Sequence, residues 1–217
     1  MTFHNYIFFT IDSSIFTLPT KTRAAYREEF LDLLQKEKEV IVYSYATLGL
    51  KTNTTMLLWL QADIIDTIQN FLNKLMHSHF GQYLEITYTL LGMTRPTQYS
   101  SKSTMHLNTS RKGGQYLIIY PFIKTTEWYM LDFEKRHNLM GGHVMIGKKY
   151  PAIEQLLLYS YGIDDQEFIV SYETNDLSLF QSLVMELRSD PVRAYTQRDT
   201  PIFTCIYKSF KEIINFL

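Results

Sequence analysis

The order of apolar and polar positions along the chain predicts the same series of elements twice. Residues 4–11 are apolar and aromatic and predict a strand. A charged stretch over 20–38 follows, with Tyr26, Phe30, Leu33 and Leu34 at the spacing of one helix face. Residues 40–46 and 55–61 predict two strands around a turn containing Gly49. A helix over 62–77 places Ile64, Ile65, Ile68, Phe71, Leu72 and Leu75 on one face, and the β-branched and aromatic segment 83–91 closes the series as a strand. The first half therefore reads β-α-β-β-α-β.

A polar connection over 95–114 contains Arg111-Lys112-Gly113-Gly114, and the order then recurs. A strand is expected over 116–122, a helix over 131–149, strands over 153–161 and 167–173, a helix over 177–188 and a strand over 202–207. Within 167–173, Phe168, Val170 and Tyr172 share one side while Glu167, Ile169, Ser171 and Glu173 share the other, which predicts one core face and one mixed face. A repeated β-α-β-β-α-β order predicts an α+β protein of two ferredoxin-like halves, residues 1–105 and 115–217, each with helices on one face of an antiparallel sheet.

Composition narrows the function classes. The 21 Lys plus Arg against 22 Asp plus Glu leave no polycationic surface for phosphate backbones, so nucleic acid is not an expected partner. Cys205 is the one cysteine, which excludes an intrachain disulfide and a multi-cysteine metal cage. No apolar run approaches the ~20 residues of a membrane helix, and no basic stretch precedes an apolar one at the N-terminus. The expectation is a soluble, cytoplasmic protein. Neither glycine pair, Gly113-Gly114 nor Gly141-Gly142, sits in a phosphate-cradling motif, so no nucleotide site is indicated.

Two segments concentrate usable chemistry. In Tyr120-Pro121-Phe122-Ile123-Lys124, a strand that continues through the proline puts Tyr120 and Lys124 on one face, close to Trp128 and Tyr129. A phenol can give up a hydrogen atom and an ammonium can hold a carboxylate; ordinary strand aromatics and a surface lysine are the plainer reading. On the helix over 131–149, His143 shares a face with Met140, Leu139 and Arg136, whereas His137 lies about 120° away around the axis, so the two histidines do not converge on one metal. One helix histidine is still sufficient as an axial ligand to haem iron, because the porphyrin supplies the equatorial set. His77-Ser78-His79 has no acidic or sulfur partner in sequence and suits a helix end.

The spaced series Tyr120-Pro-Phe-Ile-Lys124, Trp128-Tyr129-Met130-Leu131, Glu134-Lys-Arg136-His-Asn-Leu-Met140-Gly-Gly-His143, Gly147-Lys-Lys-Tyr150 and Gly162-Ile163-Asp164-Asp165-Gln166-Glu167-Phe168 resembles the signature of the chlorite dismutase-like family. The match is strong over 116–207; the N-terminal half agrees in element order and in the stretch from Leu91 to Tyr99. The resemblance implies two ferredoxin-like halves forming a dimeric α+β barrel within one chain, haem in the C-terminal half and assembly into homopentamers. It makes His143 the iron ligand and places Trp128 in the haem pocket.

Within the family the chain is most similar to the coproheme decarboxylases, whose Tyr-Pro-x-x-Lys motif carries a radical-forming tyrosine and a propionate-holding lysine, here Tyr120 and Lys124. The implied reaction is hydrogen-peroxide-dependent decarboxylation of coproheme III to haem b. The distal position, arginine in chlorite-decomposing members, falls on Gln155 or Leu156 depending on the count, and neither is arginine. His106 stands where related decarboxylases have a propionate-contacting arginine. A haem-binding or haem-trafficking protein without turnover, and a cofactor-free α+β-barrel module, are the rival readings.

Overall fold

The computed structural model of the chain describes residues 1–96 and 110–216; His106, expected at the porphyrin edge, lies outside the described residues. In chain order the elements are β1 (Phe3–Ile11), α1 (Thr20–Lys36), β2 (Ile41–Ala46), β3 (Met56–Ala62), α2 (Ile65–His77), β4 (Leu84–Met93), β5 (Tyr116–Lys124), α3 (Thr126–Met130), α4 (Phe133–Gly147), β6 (Glu154–Tyr159), β7 (Phe168–Thr174), α5 (Leu177–Arg188), β8 (Thr196–Arg198), β9 (Phe203–Tyr207) and α6 (Phe210–Phe216). They form two compact units, Met1–Met93 with Phe203–Leu217, and Thr94–Ile202.

The first unit is an antiparallel sheet in the order β4-β1-β3-β2-β9. Its first four strands have the ferredoxin-like arrangement that the repeated pattern predicts. Ile7, Phe9, Leu58 and Leu60 of the sheet meet Phe30 and Leu34 of α1 and Ile68, Phe71 and Leu75 of α2 in one closed core. Each such side chain stabilises the layer by roughly 1.5–3 kcal/mol relative to exposure. The last strand and helix of the chain belong to this unit and not to the second half of the sequence. Tyr45 pairs with Tyr207, Ala46 pairs with Ile206, and α6 adds Ile213 and Ile214 to the core.

The second unit is ordered β6-β7-β5-β8, again antiparallel. The place of the fourth ferredoxin strand is held by the three-residue β8, which the sequence pattern does not announce. The helix expected over 131–149 is α4, and a short helix not expected from the pattern, α3, precedes it; the two are separate because Leu131 is extended and the Asp132 side chain caps α4 by accepting from Lys135 N–H. β5 continues through Pro121, which stays in register with Ile169, so Tyr120 and Lys124 do share a face.

The face of β7 expected to be mixed is buried as fully as the other: Ile169 is 0% exposed, Ser171 4% and Glu173 7%. Glu173 is tolerated there because its carboxylate accepts the backbone N–H groups of Lys112, Gly113 and Gly114 at 2.9–3.1 Å. Gly113 has φ +95°, and a Cβ on Gly114 would lie 2.7 Å from Thr174 N. The glycine pair therefore cradles an anion after all, but one that the chain itself supplies.

His4 gives the first unit a specific acid sensitivity. It is fully buried, its Nδ1 accepts from Trp59 Nε1–H at 3.0 Å, and Nε2 has no partner among the described residues. Burial pushes its pKa down from 6.5 to about 3. Between those values the unfolded chain binds the proton and the folded chain does not, so stability falls as pH drops below about 6.5 and continues to fall toward pH 3. The expected loss attributable to this site by pH 3 is a few kcal/mol, on the order of 1.4 kcal/mol per pKa unit. Urea denaturation of wild type and a His4→Gln variant at pH 7 and pH 4.5 checks this: the gap between their pH slopes should carry the histidine's contribution, and equal slopes would remove it.

Candidate functional site

In the first unit the space between sheet and helices is filled; in the second it is not. α4 buries none of its residues, because Arg136, Met140, Gly141, Gly142, His143 and Gly147 offer no continuous apolar stripe to close against the sheet. A cavity of about 470 Å³ remains between β5, β6 and β7 on one side and α4 and α5 on the other. Alternate strand positions floor it: Tyr120, Phe122 and Lys124 of β5, Gln155, Leu157 and Tyr159 of β6, and Phe168, Val170 and Tyr172 of β7. The registers Gln155↔Tyr172, Leu157↔Val170 and Tyr120↔Val170 align these residues on one sheet face. Since Gln155, Leu157 and Tyr159 line the cavity, Leu156 has the opposite parity and is not part of the lining.

His143 enters from α4, one and two turns beyond Met140 and Arg136, which also line the cavity, while Leu139 does not. Its Nδ1 is buried with no hydrogen-bond partner among the described residues. Burial holds the imidazole below its usual pKa, with the Lys124 charge acting in the same direction and Asp190 opposing. The ring is therefore neutral at pH 7 and has a lone pair to offer a metal.

Lys124 is 9% exposed, and its Nζ lies 4.6 Å from the Trp128 ring centroid and 5.8 Å from that of Phe122. Burial, reinforced by the Arg193 charge, lowers its pKa to about 8 against the opposing pull of Glu167 and Asp190. It is still an ammonium at pH 7, held in aromatic surroundings, and it is the kind of group that gains most from a ligand carboxylate. Trp128, 3% exposed, closes this end of the cavity from α3. Tyr120 is raised above the ordinary phenol range, chiefly by burial, and shares a hydrogen bond with the buried Tyr172. The hydroxyl thus remains protonated and can supply a hydrogen atom.

Several residues here have no sequence signal. Arg188 and Arg193 both pair with Asp199, at 2.6 and 3.3 Å, and all three line the cavity beside Tyr120. Asp190 caps the following turn through Val192 N–H, yet also faces the α4 helix at Gly142. Its place next to His143 depends on how α5 packs against α4, and no spacing in the chain encodes that. His77 and His79 make no metal pair: His77 Nδ1 is 2.9 Å from Asn73 O and His79 Nδ1 is 3.0 Å from Glu29 Oε2.

Fold and site together define an α+β protein of two ferredoxin-like units in which the second holds an aromatic, cation-bearing cavity with one half-buried, neutral histidine. The family model for chlorite dismutase matches residues 23–208, and the chain belongs to that family. It is 24% identical over 172 residues to the coproheme decarboxylase of Mycolicibacterium smegmatis, covering 78% of this chain and 74% of that one. Over 200 residues it is 30% identical to the chlorite dismutase of Ideonella dechloratans, covering 88% and 70%. A mutant chlorite dismutase from Candidatus Nitrospira defluvii superposes with a TM-score of 0.91 at 25% identity, over 99% of this chain and 94% of the other. Among the described residues, no helix is long and apolar enough to cross a membrane.

Proposed function

We propose that the chain binds iron coproporphyrin III in the cavity of its second unit and, with hydrogen peroxide, converts its reactive propionates to vinyl groups, giving haem b. The observation that carries this reading is the joint lining of one cavity by His143, Tyr120 and Lys124, an unprotonated ligand, a protonated phenol and an ammonium. The family is one of haem-binding proteins, and the residues present fit an iron porphyrin. The buried Nδ1 of His143 lacks a partner among the described residues, the sheet floor is aromatic, and Lys124, Arg136 and Arg193 supply cations for carboxylates. When bound, the iron supplies the redox chemistry of peroxide.

The chain's own residues orient and balance that chemistry. His143 fixes the porphyrin from α4, and Trp128 holds the lysine end dry. Lys124 would draw a propionate toward Tyr120, whose hydroxyl would give up a hydrogen atom to the peroxide oxidant and recover one from the propionate side chain. Gln155, on the floor of the cavity, would take the place that chlorite-decomposing members fill with arginine. Per propionate, one –CH2CH2COOH and one H2O2 give one –CH=CH2, one CO2 and two H2O. His106 retains its assignment as a propionate contact through the family resemblance alone, as does the homopentamer.

The test is mass spectrometry of porphyrin extracted after titrating the coproheme-loaded protein with peroxide, alongside oxygen measurement on the haem-loaded protein with chlorite. Mono- and didecarboxylated products and no sustained oxygen release are the expected results. Rapid oxygen evolution would move the protein to the chlorite-decomposing branch. Stable porphyrin binding with neither reaction would make it a carrier.

A further inference from the structure

The cavity holds a second set of phenols, distinct from Tyr120, that leads toward solvent. Tyr159, Tyr161 and Tyr129 all line it. The Tyr159 and Tyr161 ring centroids are 6.5 Å apart, and those of Tyr161 and Tyr129 6.4 Å. Phe168 packs between the first two, 5.5 Å from Tyr159 and 5.0 Å from Tyr161. Tyr159 is half-buried, whereas Tyr161 is 44% exposed and Tyr129 39%. The rings therefore form a continuous series from the cavity floor to the surface.

The hydroxyls at the outer end are directed. Tyr129 Oη lies 2.6 Å from Glu167 Oε2 and 2.7 Å from Tyr161 Oη. An ionised carboxylate only accepts, so Tyr129 donates to Glu167 and Tyr161 donates to Tyr129. Glu167 Oε2 is itself held by the backbone N–H of Lys124 at 2.7 Å. A phenol that loses an electron becomes strongly acidic. A carboxylate already at 2.6 Å takes that proton without any rearrangement, which makes the phenol easier to oxidise than one facing only apolar groups. A purely structural tie between α3 and the start of β7 needs one such hydroxyl, not a series of adjacent rings that reaches solvent.

We propose that Tyr159, Tyr161 and Tyr129 carry oxidising equivalents that miss the substrate out of the cavity to solvent, with Glu167 receiving the Tyr129 proton. The proposal rests on the reading that an iron porphyrin and hydrogen peroxide react in this cavity. For each peroxide consumed this way, two phenol O–H bonds break and the peroxide O–O bond breaks. Two electrons pass to the peroxide oxygens by way of the bound porphyrin, and two protons follow through Glu167 and water. The products are two H2O and two tyrosyl radicals. At the exposed end the radicals either take back hydrogen atoms from a one-electron reductant such as ascorbate, or join in pairs as dityrosine between protein molecules.

The experiment uses the protein loaded with haem b, whose propionates are not the proposed substrate, and one equivalent of hydrogen peroxide. Dityrosine is quantified by fluorescence and located by mass spectrometry of cross-linked peptides, normalised to bound haem from the Soret band. Wild type should cross-link at Tyr161 and Tyr129, with ascorbate suppressing the yield. The Tyr129→Phe/Tyr161→Phe double variant should lower it at least about tenfold, and Tyr159→Phe and Glu167→Gln should each lower it severalfold. Phenylalanine keeps every ring in place, so packing is retained in the tyrosine variants. Cross-links that map elsewhere, or a yield unchanged in the double variant, overturn the path. Oxidation at Tyr129 and Tyr161 without decarboxylation of coproheme would sink the decarboxylase reading and leave the path standing; decarboxylation without this oxidation would do the reverse.

Discussion

Replacing Tyr120 by phenylalanine is expected to leave coproheme binding close to wild type and to stop the formation of mono- and didecarboxylated porphyrin. The ring stays in register on β5 opposite Val170, so the cavity floor keeps its shape. What disappears is the hydroxyl and its hydrogen bond to Tyr172, a change worth about 1 kcal/mol of stability and too small to unfold the unit. The phenol is partly buried and held above its ordinary pKa, so it offers a hydrogen atom and not a phenolate. Its loss removes the group that relays oxidation from the iron side to a propionate held by Lys124. A fall in product formation of at least about a hundredfold follows from losing a positioned transfer group. Porphyrin mass spectrometry after peroxide titration, paired with a Soret binding titration, separates the two effects; an equally active variant would remove Tyr120 from the mechanism.

The second large effect is expected at His143. Alanine there should abolish the axial signature in the Soret spectrum of the loaded protein and weaken iron porphyrin binding by more than about tenfold, since even supporting groups around a metal are worth that much. α4 loses little packing, because His143 is only half-buried and its Nδ1 makes no hydrogen bond among the described residues. The loss can then be assigned to the ligand and not to the fold. The lowered pKa adds a pH signature: the wild-type imidazole stays unprotonated through neutral pH, so binding should weaken only once acid carries the solution below the ordinary histidine range. An unchanged spectrum and affinity in His143→Ala would place the iron elsewhere.

The parts of the site legible in the sequence share one property: their geometry is local. Tyr120 and Lys124 lie four residues apart on one strand, and Arg136, Met140 and His143 recur at helical spacing on α4. Period-two and 3.6-residue repeats fix such relations before any tertiary contact forms. The illegible parts depend on register and packing. Gln155 and Leu156 are adjacent, and only the pairing of β6 with β7 decides which lines the cavity. Asp190, Arg193 and Asp199 come to the site from the chain between α5 and β9, where no periodicity marks them. Glu167, Tyr129 and Tyr161 meet across more than thirty residues through two hydrogen bonds.

By itself the sequence determined the α+β class, the ferredoxin-like order of the first unit and of the second up to its last strand, the family and the identities of the histidine, tyrosine and lysine on which the proposed chemistry depends. These follow from the alternation of apolar positions and from motifs a few residues long, where the backbone period dictates which side chains share a face. Tertiary structure alone decided that the second sheet–helix layer stays open as a cavity while the first is filled. It also decided that β9 and α6 return to the first unit and that the backbone N–H groups of a glycine-rich loop hold a buried Glu173. Those outcomes turn on how volumes fill and where backbone hydrogen bonds find partners, and both are set by residues far apart in the chain.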